Sequence, residues 1–277
     1  MADMLVRSEI ELSVPVAERH INAAQEAASY LTTDKSSIQI EIVGEGKNWM
    51  SMKTMRMAKA YIFDMDGTLV DNCAWHVKAW RAFAVHHGRE ITERQSLEWM
   101  GAPSAYYMNR IFDREIPPEE CAALTSEKES LYRELYAPYL KLPDGLSDLL
   151  SDARRLGVKL AIATGGSIDN VDFVLDGLGI RDLFEVIVDA SQYEHGKPAP
   201  DCYLMAAARL GLDPSECLVF EDAVGGVRAA KAAEMRVAAI TATLPREVLA
   251  TEHPDILFDS FAGLKANLLN QQLESNQ

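Results

Sequence analysis

Tyr61-Ile62-Phe63-Asp64-Met65-Asp66-Gly67-Thr68-Leu69-Val70-Asp71 decides how the chain is read. The apolar residues leading to Asp64 predict a buried strand, because aromatic and β-branched side chains suit a pleated, covered surface. At its end two carboxylates stand two residues apart, and Gly67 follows at once. In an extended backbone alternate residues share a side, so Asp64 and Asp66 are expected to face the same way. Like charges that close raise each other's pKa unless a cation or a reacting group lies between them. A solvated turn would explain these residues taken alone, so the weight falls on what lies downstream.

After Pro143-Asp144-Gly145 the pattern alternates between helix and strand. Leu146 to Leu156 is amphipathic and ends at Gly157, Val158 to Ala163 predicts a strand, and Ile168 to Leu178 predicts a helix stopped by Gly179. Val186 to Val188, Cys217 to Phe220 and Val237 to Ile240 predict further strands, with helices at Tyr203 to Leu210 and Val224 to Ala233. Such alternation implies an α/β fold with a doubly wound, Rossmann-like parallel sheet covered on both faces. Ligands of such sheets gather at the carboxyl ends of the strands, where Asp64, Thr164 and Asp222 all fall. From Ala74 to Leu140 the chain reads as helical throughout. Trp75, Val77, Ala79, Trp80, Phe83 and Ala84 form one face closed by Gly88, and Tyr106, Met108, Ile111 and Phe112 continue the pattern. The expected organisation is a leader over residues 1–58, a core of 59–71 with 142–277, and a helical insertion over 72–141.

The 277 residues suffice for a large core, and the formal charge of -15 argues against nucleic acid or an anionic membrane as partner. Cys73, Cys121, Cys202 and Cys217 are scattered without metal-ligand spacing, which points to reduced thiols. No apolar run spans a bilayer and no signal peptide is recognisable, so the cytoplasm is the expected compartment.

Each later motif offers chemistry beside a plainer reading. Asp64 at a strand end can attack an electrophile, and Asp66 can transfer a proton. Gly67 lets the backbone approach a phosphate. Thr164 followed by Gly165, Gly166 and Ser167 supplies a hydroxyl and bare N–H groups at a helix start, or is only an N-cap. Lys197 in Gly196-Lys197-Pro198-Ala199-Pro200-Asp201 is an aimed cation or a surface lysine in a turn. Glu221-Asp222 is a hard-cation site or a solvated acidic pair favourable to the next helix.

Asp64-Met65-Asp66-Gly67-Thr68, Thr164, Lys197 and Glu221-Asp222, in that order, resemble the four signature motifs of the haloacid dehalogenase (HAD) superfamily, from about residue 59 onward. The helical insertion resembles the cap of its subfamily I, and Gly196 to Asp201 is similar to the β-phosphoglucomutase-like branch. The resemblance implies that Asp64 is the nucleophile and Asp66 the general acid/base, with Thr164 and Lys197 holding the phosphoryl group. It implies Mg²⁺ placed by the side chains of Asp64 and Asp222, the carbonyl of Asp66, and Glu221. It disfavours dehalogenation, which does not need Asp66. Thr68 after Gly67 is as in many phosphatases, where mutases often carry valine.

His76, one helical turn beyond Asn72, matches a histidine that assists the acid/base of β-phosphoglucomutases, or is an ordinary helix-surface histidine. Around Gly101 those mutases carry two cations that grip the distal phosphate; here Met100 and Ser104 stand at those places. The expected activity is therefore a phosphatase of small phosphorylated metabolites such as sugar phosphates, with a phosphosugar mutase or a regulatory binding protein as alternatives. The leader, with His20 before an alanine-rich helix, faintly resembles the first half of a histidine phosphocarrier (HPr). Asn22 and Ala23 replace its arginine and proline, so the expectation is an interaction module for a phosphotransfer partner, or a packing appendage.

Overall fold

The computed structural model describes residues 58–99, 101–266 and 269. The expectations for the leader, His20 included, and for Met100 lie outside the described residues.

Strand β1, Ala60–Phe63, is buried at every position. Its alternation divides the core: Tyr61 and Phe63 enter one apolar layer, Ala60 and Ile62 the other. Helices α1 (Cys73–His86), α2 (Glu93–Glu98), α3 (Ser104–Phe112) and α4 (Pro118–Tyr136) follow. They enclose a small apolar core of their own, in which Trp80, Phe83, Tyr107 and Ile111 are buried. The insertion is helical, as expected, but interrupted: Asp113 takes a left-handed φ of 51°, and Pro117 and Pro118 restart the chain as α4. Proline fits the first helical position because the N–H there has no partner in the helix anyway.

Helix α5 (Leu146–Arg155) leads into β2 (Lys159–Ala163), and α6 (Ile168–Leu178) into β3 (Val186–Val188). Then come α7 (Asp201–Leu210), β4 (Cys217–Glu221), α8 (Val224–Ala232), β5 (Arg236–Ile240), α9 (Arg246–Ala250) and β6 (Ile256–Phe258). All six strands are parallel, in the order β3-β2-β1-β4-β5-β6. This is the doubly wound Rossmann-like sheet that the alternation predicts. Three departures are found. β4 runs one residue further, through Glu221, a charge that breaks the apolar run without breaking the ladder. α7 begins at Asp201, two residues before the expected start, and β6 was not among the expected strands.

β1 lies centrally between β2 and β4, so Asp64, Thr164 and Glu221 leave the sheet side by side. Beneath them the Phe63 and Phe220 rings stack at 4.5 Å, and both are fully buried. Each ring contributes about 1.5–3 kcal/mol by leaving water, which gives the floor of the site its stiffness. Among the described residues no helix is long and apolar enough to cross a membrane.

Candidate active site

The backbone of β1 stays in the ladder one residue past the strand: the Asp64 N–H donates to the Phe220 carbonyl at 3.0 Å. It then turns, with the Leu69 N–H returning to the Met65 carbonyl at 2.9 Å and Gly67 at φ +83°. Asp66 still makes a bridge with Val70 before the chain turns, and although its charge is felt at Asp64, the two carboxylates take different hydrogen-bond partners. Gly67 is required by a close approach, but the neighbour is Asp222: a Cβ there would lie 2.1 Å from its Oδ2. Thr68, fully buried, donates its hydroxyl to Asp222 Oδ1 at 3.2 Å, which engages it with that carboxylate.

Asp64, Glu221 and Asp222 form one cluster, their ligand atoms all within 4.8 Å of one another. Lys197 reaches into it from the β3–α7 loop, donating to Asp64 Oδ1 at 2.5 Å and Glu221 Oε1 at 2.6 Å. Burial pushes the Asp64 carboxyl well above the usual carboxylate range; Lys197 opposes this, and the charges of Glu221 and Asp222 add to it. Asp222 is pushed up to about 7, by burial first and then by Glu221. Lys197 moves the other way from what burial alone would do, because Asp64 and Glu221 raise it well above an ordinary lysine. One ammonium among three buried carboxylates leaves an excess of negative charge that a hard, oxygen-binding cation would neutralise.

Glu221 is the best-held of the three. Its Oε1 also accepts from the Tyr203 hydroxyl at 2.6 Å, and its Oε2 accepts from the N–H groups of Asp222 and Ala223 at 3.0 and 3.2 Å. Gly226 leaves it room, since a Cβ there would sit 1.7 Å from Glu221 Oε1. Tyr203 thus serves the pair twice, with Lys197 Nζ also 4.7 Å from its ring centre. Tyr203→Phe is expected to cost about 1.5–3 kcal/mol, the worth of a hydrogen bond to a charged group. Urea denaturation checks it.

Asp66 stands apart in a second network. Asn72 donates to its Oδ1 and to the Tyr132 hydroxyl, both at 2.6 Å, and accepts from the Gly67 N–H at 3.1 Å. Asn72 is the residue before α1, yet its side chain makes no cap bond; the amide turns inward to Asp66. His76 stacks on Tyr132 at 3.8 Å, with Nε2 3.6 Å from Asp66 Oδ1. Its Nδ1 lies 2.8 Å from the ammonium of Lys128, which is buried. An ammonium donating to Nδ1 places the ring proton on Nε2, facing Asp66. Burial works to raise Asp66, but the nearby His76 ring, the Asn72 hydrogen bond and the Lys128 charge outweigh it and hold the carboxyl low.

Thr164 is buried and its Oγ1 accepts from the Gly166 N–H at 3.0 Å. A Cβ on Gly166 would stand 3.3 Å from that oxygen and 3.6 Å from Asp66 Oδ2, so this turn borders the second carboxylate. Gly165 and Ser167 are exposed, and Ser167 precedes α6 without a side-chain cap bond. Gly101 lies in an exposed turn, with open space where a Cβ would stand. Sequence reasoning missed Asn72, Lys128, Glu129, Tyr132 and Tyr203. A buried lysine inside a helix of alternating charges looks like any solvated one, and only Asn72 carried a signal, as a polar residue at a helix start.

The chain from residue 58 to 234 matches the model of a hydrolase family described as haloacid dehalogenase-like hydrolase. The chain belongs to the haloacid dehalogenase-like hydrolases. It is 35% identical over 176 residues to the fructose-1-phosphate phosphatase YqaB of Escherichia coli, covering 63% of this chain and 92% of that one. Hexitol phosphatase A of the same organism is 33% identical over 186 residues, covering 66% and 83%. Among solved structures, a β-phosphoglucomutase from Clostridium difficile superposes with a TM-score of 0.69 at 28% identity, covering 79% of this chain and 98% of that one. Haloacid dehalogenase-like enzymes use a metal ion, and the cluster of Asp64, Glu221 and Asp222 has the all-oxygen donor set and charge excess to hold one.

Proposed function

We propose that the protein is a Mg²⁺-dependent phosphatase of small phosphorylated metabolites, sugar phosphates foremost, and that it works through a phosphoryl group carried on Asp64. The observation that supports this most is the division of the two carboxylates. Asp64 lies against Lys197 and two further acids, whereas Asp66 is clamped by Asn72 beside His76.

The resting site holds Asp66 ionised, and a phosphate dianion entering beside it raises its pKa so that it takes up a proton from solvent. Asp64 then attacks phosphorus and the ester C–O–P linkage breaks at the P–O bond, leaving an acyl phosphate on Asp64 and an alkoxide that takes that proton from Asp66. Asp66, now a carboxylate, then accepts a proton from the water that cleaves the acyl phosphate. Lys197 and Thr164 compensate and hold the phosphoryl oxygens. The networks around them fix the aim, so little reorganisation is left for the transition state. Asp64 and Asp222 with Glu221 and the Asp66 carbonyl would hold Mg²⁺, which favours oxygen donors and supplies neutralisation of phosphate charge when bound. The helices α1–α4 act as a cap that covers the phosphate site. The relatives' names, fructose-1-phosphate phosphatase and hexitol phosphatase, support the sugar-phosphate class.

A panel of sugar phosphates assayed with Mg²⁺ should release inorganic phosphate from several members. No release from any of them would overturn the reading. The likeness to a β-phosphoglucomutase makes a mutase the second reading, and it would be favoured if conversion of β-glucose 1-phosphate to the 6-phosphate outpaced hydrolysis.

Metal binding should also stabilise the fold with a definite pH sign. The Asp222 carboxyl, raised in the folded protein to about 7, opposes folding increasingly as pH climbs from its unfolded value toward 7. A cation offsets that opposition where the acids are ionised, and protons compete with it where they are not. Saturating Mg²⁺, at about 100 Kd, is expected to stabilise by about 2.7 kcal/mol. The rise in Tm should be larger at pH 8 than at pH 5.5; an equal rise at both would contradict a site built on these carboxylates.

A further inference from the structure

Asn170, on α6, is a buried polar side chain that none of the motifs accounts for. Its amide crosses to α4 of the helical insertion and makes two bonds there, each of 2.8 Å. Nδ2 donates to Glu129 Oε2, and Oδ1 accepts from Arg133 Nη1. A guanidinium only donates and a carboxylate only accepts, so the amide fits one way round. Glu129 is thereby held at both oxygens, since Lys128 donates to its Oε1 at 2.8 Å. The same buried ammonium lies 2.8 Å from His76 Nδ1 and donates to it. The far ring nitrogen, Nε2, is buried, makes no hydrogen bond within the fold, and stands 3.6 Å from Asp66 Oδ1.

Glu129 Oε2 is 4.0 Å from His76 Nδ1, so a movement of about 1 Å brings it to hydrogen-bond distance. Freed from Asn170, it can take the place of Lys128 as the partner of that nitrogen. Nδ1 would then carry the ring hydrogen, and a bare Nε2 would turn its lone pair toward a carboxylate oxygen. We propose that Asn170 is a positioning residue for the acid/base: by holding Glu129 Oε2 it leaves His76 Nδ1 to Lys128 and keeps the ring hydrogen on Nε2, directed at Asp66. The inference rests on the phosphatase reading and adds to it the group that sets the histidine's tautomer. The hydrogen bond made at one ring nitrogen decides the state of the other. Asn170 belongs to the sheet domain, whereas Glu129, Lys128 and His76 belong to the insertion, so the tautomer is set only where α4 lies against α6. Packing these helices together does not require the amide. Phe173, one turn further along α6, already meets the Tyr132 and Tyr136 rings at 6.2 and 6.3 Å.

Ring ¹⁵N spectra of the full chain at about pH 8, above the ordinary histidine range, read the tautomer without substrate. A His76→Gln spectrum identifies the His76 signals among the six histidines. In the wild type Nε2 should carry the hydrogen. In Asn170→Ala the Nδ1–H form should become the major one. Its kcat on the best panel substrate should fall about 10-fold or more, a part of the ~10²–10⁴ that a positioned acid/base supplies, with KM changed by less than about 3-fold. Asn170→Asp keeps the shape, sets a second carboxylate against Glu129 Oε2 and carries the same expectation, so it decides the matter if the alanine variant does not fold. A wild-type ring with hydrogen on Nδ1, neutral or charged, overturns the inference with no variant needed. A tautomer unchanged in the variants overturns it even where kcat falls, because Asn170 would then act on packing alone. A shifted tautomer with kcat unchanged overturns the positioning role. Absence of turnover in the wild type would instead overturn the phosphatase reading and the catalytic half of this inference, while the spectra still decide the tautomer.

Discussion

Asp64→Asn is expected to lower phosphate release by at least about 10⁴-fold, the scale seen when a covalent nucleophile is removed. The same change should leave the fold intact and the metal-free protein no less stable. Burial and the neighbouring charges of Glu221 and Asp222 disfavour a carboxylate at this position, and a neutral amide of the same shape relieves them. Lys197 keeps a partner in Glu221 Oε1 at 2.6 Å, so the substitution does not strand its charge. Steady-state release on the best panel substrate, read beside a chelator-treated thermal melt, checks both halves. Residual turnover within 100-fold of wild type would remove Asp64 from the nucleophile's place. A large loss of Tm would mean that the activity effect reports unfolding.

How much of this was legible beforehand depends on the range of the interactions involved. The sheet was legible because fully buried parallel strands are written as short apolar runs, and turns after them as Gly, Pro and Asp. β6 was missed although β3, of the same length, was not, and the last residue of β4 escaped because its charge conceals a backbone that continues in the ladder. Asp64, Thr164, Lys197, Glu221 and Asp222 were legible since each follows an apolar strand or a stiff loop. The structure brings Asp64, Lys197 and the Glu221-Asp222 pair together from three scattered segments. Only His76 was read beforehand of the network around Asp66. Its members come from α1 and α4, and the contact of Lys128 with His76 spans 52 residues with no sequence signal between them. Gly101, chosen by likeness to a loop, lies in an exposed turn with open space around it.

Lys197→Ala should be the most destabilising single change at the site. Removing one member of a buried ion pair leaves the other uncompensated, at about 3–5 kcal/mol. Here one ammonium serves two carboxylates, Asp64 and Glu221, and Asp222 adds a third acid to the same pocket. Glu221 retains its bonds from Tyr203, Asp222 and Ala223, so the unrelieved repulsion should fall chiefly on Asp64. Urea unfolding of the chelator-treated variant reads this loss, and millimolar Mg²⁺ should restore part of it by replacing the missing positive charge. The decisive comparison is the double variant with Asp64→Asn. If the lysine and the three acids share one electrostatic site, the double variant is more stable than Lys197→Ala alone, because the carboxylate left stranded is gone. Groups in direct contact couple by about 0.5–3 kcal/mol, whereas independent sites add. Simple additivity of the two changes would mean that Lys197 and Asp64 do not act on one another, and the phosphoryl site would lose its cation.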